Sequence, residues 1–109
     1  MNRPKVKAVG FDYFVEHYPT YRGRSLAAKL KLCGSGSVKL ADCIANLAYN
    51  LKAYQTCSDR QDESGMRVYL HSCKIIAANI RDNECYQHIY LNSYASRLIK
   101  SMLAEIPAK

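Results

Sequence analysis

Nine residues set the shape this chain can take. Leu26, Leu30, Cys33, Ser37, Leu40, Ile44, Leu47, Leu51 and Tyr54 succeed one another at spacings that alternate 4 and 3. Such an a/d stripe, kept over about four heptads, returns to one face only on an α-helix. It crosses Gly34-Ser35-Gly36-Ser37 without losing phase, and an independent loop has little reason to keep register. The spacing predicts one long helix over about residues 25–55. Two interior glycines cost about 1 kcal/mol each against Ala, so the alternatives near Gly34 are a kinked or weakened helix and a split into two helices at Gly34–Gly36. Ser25 stands where its hydroxyl can cap the first turn.

The polar run from Thr56 to Gly65 is the clearest break, and Asp59, Asp62 or Ser64 can cap the next helix. That second helix is expected over about 62–81, with Tyr69, Cys73, Ile76 and Ile80 on its inner stripe. After Asp82-Asn83, a last helix over about 84–105 carries Leu91, Ala95, Leu98, Met102 and Ile106 at helical spacing. Pro107 ends it, since proline has no amide hydrogen to donate. Upstream, Phe11 to Tyr18 reads as a short helix that Pro19 terminates; alternatively Val6 to Val9 extends along a partner. Short connections between long helices make neighbours antiparallel. The expected fold is all-α, an up-and-down bundle of three long helices over 25–109. A basic N-terminal segment, 1–24, adds a short element to this single domain.

Size and composition exclude several classes. A chain of 109 residues that is 49% apolar buries one core. It is too short for a (β/α)₈ barrel or a full dinucleotide-binding fold. No window approaches the roughly 20 uncharged apolar residues of a membrane span. The apolar stretch after Met1-Asn2-Arg3-Pro4-Lys5-Val6-Lys7 is short and broken by Asp12, unlike an export signal. The five cysteines (33, 43, 57, 73 and 85) lie 10 to 16 residues apart with no CxxC. That pattern predicts a reducing, cytoplasmic setting and buried thiols that pack as small hydrophobes. His71 and Cys73 would point about 200° apart on a helix, and Cys85 with His88 supplies only two ligands. Neither a metal nor another cofactor is expected. With no GxSxG elbow, no phosphate-cradling glycine motif and no HExxH, the chain is not expected to be an enzyme.

Charge points toward a partner. The formal net charge is +7, and residues 1–39 hold eight bases against Asp12 and Glu16, a net of +6. Clustered bases attract polyanions because neutralising phosphates releases counterions. One candidate contact is the basic elbow Tyr18-Pro19-Thr20-Tyr21-Arg22-Gly23-Arg24, placed before a helix whose free amides favour anions. Another is the seven-residue repeat Arg60, Arg67, Lys74 and Arg81, able to track a phosphate backbone if the second helix starts early enough. Arg22, Arg24, Lys29, Lys31, Arg67, Lys74 and Arg81 are thus the candidate polyanion-binding residues. On the last helix Tyr86, Tyr90 and Tyr94 fall at i, i+4 and i+8 with Arg97 beyond, a row suited to a partner interface or to base stacking. The plainer alternatives are a solvated basic face and tyrosines that line the groove between helices.

Tyr18, Pro19 and Arg22, a long helix, two further amphipathic helices and the ending Ala95-Ser96-Arg97-Leu98-Ile99-Lys100-Ser101-Met102-Leu103 carry a resemblance. Over residues 18–103 this layout resembles the accessory variability determinants of diversity-generating retroelements. The resemblance implies ring-like pentamers of four-helix bundles with basic surfaces that bind a reverse transcriptase and nucleic acid. The Trp often found near the end of that family's last helix is missing here, and no functional residue carries across. The leading expectation is a non-enzymatic helical module that binds nucleic acid or scaffolds a nucleic-acid-processing enzyme, as a homo-oligomer and away from membranes. A phage- or plasmid-encoded inhibitor docking on a host protein complex, such as an anti-CRISPR protein, is the alternative.

Overall fold

The amphipathic stripe becomes helix, but not one helix. The computed structural model describes residues 11–18, 20–89 and 93–107, with side chains from residue 14 onward. Its helices are α1 (Phe11–His17), α2 (Gly23–Lys29), α3 (Ser37–Asp59), α4 (Glu63–Arg81), α5 (Glu84–Gln87) and α6 (Tyr94–Ala104). No strand occurs among the described residues. The fold is all-α, as the periodicity predicts, with α3, α4 and α6 as its three long helices and α1 as the short N-terminal one.

The helix expected over 25–55 divides into α2 and α3 for a local reason. At the end of α2, Lys31 takes a left-handed φ of 59°. Its amide donates to the Ala28 carbonyl at 3.1 Å while the Leu32 amide reaches back to Ala27 at 2.9 Å. This paired closure satisfies the last carbonyls and stops the helix. It also turns Leu32 onto the core. Gly34 and Gly36 come next at φ 90° and 83°, a conformation that costs side-chain-bearing residues far more, and Gly36 becomes the N-cap of α3. The stripe keeps its phase because both helices pack on one core. Leu26, Leu30, Leu40, Ile44, Leu47 and Leu51 are buried, whereas Cys33 between them is exposed. Ser25 is not the N-cap; Arg22 is, and Ser25 sits three residues inside. There its hydroxyl donates to the Arg22 carbonyl at 2.8 Å.

The polar break is shorter than its composition suggests. α3 runs on through Thr56 to Asp59 and closes in the same way, with Gln61 at φ 58° and the Asp62 amide donating to the Cys57 carbonyl at 2.8 Å. Asp62 is the cap that α4 uses, its Oδ1 accepting from the Gly65 amide at 3.0 Å. So tight a turn folds α4 back along α3, and these two helices share the most extensive packing among the described residues. A Cβ at Gly65 would lie 2.5 Å from Cys57 Sγ and 2.7 Å from Asp62 Oδ2, so these side chains would have to move to admit it.

The helix expected over 84–105 is also two pieces. Asn83 caps α5, accepting from the Tyr86 amide at 2.9 Å, and His88 closes it. Ser93 then caps α6, accepting from the Ser96 amide at 3.1 Å. Leu91 lies outside the described residues. α6 ends at Ala104, three residues before Pro107. Leu26, Leu40, Ile44, Leu47, Ile80, Leu98, Ile99 and Met102 are fully buried, drawn from α2, α3, α4 and α6. Each such side chain contributes roughly 1.5–3 kcal/mol on leaving water. Phe14 of α1 joins them, and α1 packs on α3 and α6. Among the described residues no helix is long and apolar enough to cross a membrane.

Candidate functional site

The inner side of α4 buries Cys73, Ala77 and Ile80. Its opposite side therefore faces solvent, and it carries the chemistry. Arg67, Lys74 and Arg81 flank that side, about a quarter turn from the buried line, exposed and seven residues apart. A rise of 1.5 Å per residue spaces them by about 10 Å along a nearly straight edge. Arg60 does not share this edge, because it is the C-cap of α3 rather than a residue of α4. Lys74 and Arg81 border a shallow hollow closed by Leu103, Ile106 and Pro107, while Arg67 borders another beside Tyr54, Met66 and Leu70. The basic edge thus runs beside the turn that ends α6.

On the outer side itself, next to this flank, Val68 is 61% exposed and Ile75 49% exposed. They too are seven residues apart. A reading centred on the inner stripe of Tyr69, Cys73, Ile76 and Ile80 passes over them, since each is one residue ahead of an inner position. A full helical wheel of 63–81 shows both stripes, the inner and the outer. Tyr49, 62% exposed on α3, is a further exposed ring that periodicity does not single out.

The elbow residues are differently employed. α2 has only seven residues, and the amide of Gly23 in its first turn donates to Asp42 Oδ1 of α3 at 3.0 Å. A carboxylate of the chain itself takes up an amide that an external anion would have used. Arg22 Nη1 donates to the Tyr21 carbonyl at 2.7 Å. Lys29 Nζ stands 5.1 Å above the Tyr21 ring, a cation–π contact, and Tyr21 meets Tyr18 edge-on while Tyr18 stacks on Phe14 at 5.2 Å. Lys31 holds the left-handed position that ends α2. Arg24 is exposed on α2. Among these bases, Lys29 and Arg22 help to fix the elbow.

The tyrosine row does not form one helix face. Tyr86 is on α5, Tyr94 opens α6, and Tyr90 lies outside the described residues. Tyr86 and Tyr94 are half-buried against the core and Arg97 is exposed on α6. The helix break between His88 and Ser93 is what removes the i, i+4, i+8 relation.

A groove of about 850 Å³ opens at the N-terminus of α3, lined by the Gly34–Val38 loop and by Asn79 and Asn83. Lys39 stands in it with Asp42, Asp82 and Glu84, so its walls are of mixed sign and poorly suited to phosphate. The five cysteines are free. Burial pushes the Cys73 thiol up to about 11. It also raises Cys43, with the Asp42 carboxylate adding to the effect, and Cys85, whose Sγ donates to the Cys33 carbonyl at 3.5 Å. Reactive thiols are shifted the other way. Among the described residues no three His, Cys, Asp or Glu side chains converge as a metal would require.

No protein-family model matches the chain, and no curated protein or solved structure matches it either. Fold and site together define an all-α bundle in which the solvent side of α4 carries exposed bases and two exposed aliphatic side chains.

Proposed function

We propose that this chain is a non-enzymatic helical module that binds nucleic acid or scaffolds a nucleic-acid-processing enzyme through the outer face of α4. The observation that carries this reading is the placement of Arg67, Lys74 and Arg81 on one exposed edge at heptad spacing. Three bases about 10 Å apart track a phosphate backbone without reading its bases. The upward shifts of Cys43, Cys73 and Cys85 make these three thiols poor nucleophiles. A cytoplasmic location fits five free thiols. The retroelement-accessory layout would make the scaffolded enzyme a reverse transcriptase.

The test is a fluorescence-anisotropy titration of labelled single- and double-stranded oligonucleotides at two salt concentrations, with light scattering on the same sample for a homo-oligomer. Micromolar binding that weakens steeply with salt supports the reading, and no binding at low salt removes nucleic acid as the ligand. Val68 and Ile75 favour a second reading, an inhibitor that docks on a host protein complex as anti-CRISPR proteins do. Phosphates have no use for two wet aliphatic side chains.

A further inference from the structure

α4 carries two different features on one solvated face. Val68 and Ile75 leave 61% and 49% of their surface in water, one heptad apart. His71 and Ala78, both exposed, continue the same line at the intervening turns. Val68, His71, Ile75 and Ala78 are spaced 3, 4 and 3, which is the a/d seam of a helix that packs on another helix. In that register Arg67, Lys74 and Arg81 all fall at the g position, immediately flanking the seam.

We infer that the outer face of α4 receives an amphipathic helix of a protein partner that carries acidic residues at heptad spacing beside its apolar seam. The inference rests on the reading that this face is the contact surface of the module. Charge decides the occupant. A second copy of α4 laid antiparallel would set g against g, base against base. No described helix of this chain has acids at heptad spacing, so a heterologous contact between copies lacks the complement. Residues 1–10 hold Arg3, Lys5 and Lys7 and no acid, which makes them equally unsuited to cover a basic flank. A nucleic acid would neutralise the bases and leave Val68 and Ile75 wet. An acidic helix satisfies both.

The test uses the full chain and a synthetic helix of three heptads with Leu at a and d and Glu at e and g, which repels its own copies. A scrambled peptide of equal composition is the control. Binding is read by anisotropy for the wild type, Val68→Ser/Ile75→Ser and Arg67→Glu/Arg81→Glu, with circular dichroism confirming that each variant folds. The expected result is binding of the patterned peptide at least tenfold tighter than the scrambled one. Both double variants are expected to lose it by tenfold or more. Equal binding of the two peptides, or an unchanged Val68→Ser/Ile75→Ser variant, overturns the inference. An oligonucleotide run in parallel separates the two claims. Oligonucleotide binding without peptide binding defeats the acidic helix and leaves the nucleic-acid reading standing; peptide binding alone does the reverse.

Discussion

The carboxylate of Asp42, on α3, accepts a hydrogen bond from the backbone amide of Gly23 at the start of α2, at 3.0 Å. Nineteen residues separate the two in sequence, and the contact fixes how the elbow joins the bundle. Asp42 performs the task of an N-cap from a neighbouring helix. Asp42→Ala is therefore expected to destabilise the fold by about 1 kcal/mol, as loss of a capping carboxylate does, which a urea or thermal melt will measure. The same variant removes the negative charge that helps to raise the Cys43 thiol. Alkylation of Cys43 should begin at lower pH than in the wild type.

Gln61 and Lys31 hold left-handed φ values of 58° and 59° at helix ends where glycine is the usual residue. Gln61→Gly should stabilise the protein by about 1 kcal/mol, raising Tm by about 4 °C. Gly36→Ala should do the opposite. Its φ is 83°, and the added Cβ would stand 3.2 Å from the Asn83 side chain, whose Nδ2 already donates to the Gly36 carbonyl at 3.1 Å.

Much of this fold is legible in the sequence, and the illegible part has a specific cause. Leu26 through Leu51 repeat at helical spacing because burial dictates the pattern, and these leucines are indeed buried. Gly34 and Gly36 mark where the stripe can divide, but the helix ends at Lys31 and Gln61 themselves leave no such trace. The residue at the left-handed position is not glycine, and the apolar phase on either side agrees by packing against one core. The break after His88 likewise has neither Gly nor Pro to mark it; the Asn92-Ser93 pair is its local sign. For the site, heptad spacing places Arg67, Lys74 and Arg81 together, and it misplaces Arg60 because the boundary between α3 and α4 falls at residues 60–62. The elbow bases are not assignable from spacing, since Asp42 and Tyr21 reach the elbow through tertiary contacts.

Gly65, in the first turn of α4, lies close against Cys57 of α3. Gly65→Ala should cost about 1–3 kcal/mol, the usual penalty of overpacking, because its Cβ would meet both Cys57 Sγ and the Asp62 cap. Adding Cys57→Ala relieves one of the two clashes. A double-mutant cycle in urea is expected to show coupling of at least about 0.5 kcal/mol, near the least found for residues in contact.

The thiols give a pH signature. The Cys73 thiol is raised from 9.0 to about 11 by burial, so the folded state holds its proton after the unfolded state has released it. Its contribution to stability is complete below pH 9 and is lost as pH rises from 9 through 11. Melts across that range should show falling Tm, with Cys73→Ser showing a weaker decline. Mass-spectrometric labelling at about pH 8, just below the ordinary thiol pKa, should modify exposed Cys33 first and leave buried Cys73 unmodified until the protein unfolds.

A polyanionic partner held on the outer face of α4 would make binding depend on Arg67 and Arg81 and on salt. The most direct measurement is the salt dependence of oligonucleotide affinity for the wild type and for Arg67→Glu/Arg81→Glu, with Arg22→Glu/Arg24→Glu as the comparison. The α4 variant is expected to lose affinity at least tenfold, with its log–log salt slope reduced by about two. The elbow variant should change far less, given that Asp42 already holds the Gly23 amide. Equal affinity and equal slope in the wild type and the α4 variant would contradict the assignment of this face.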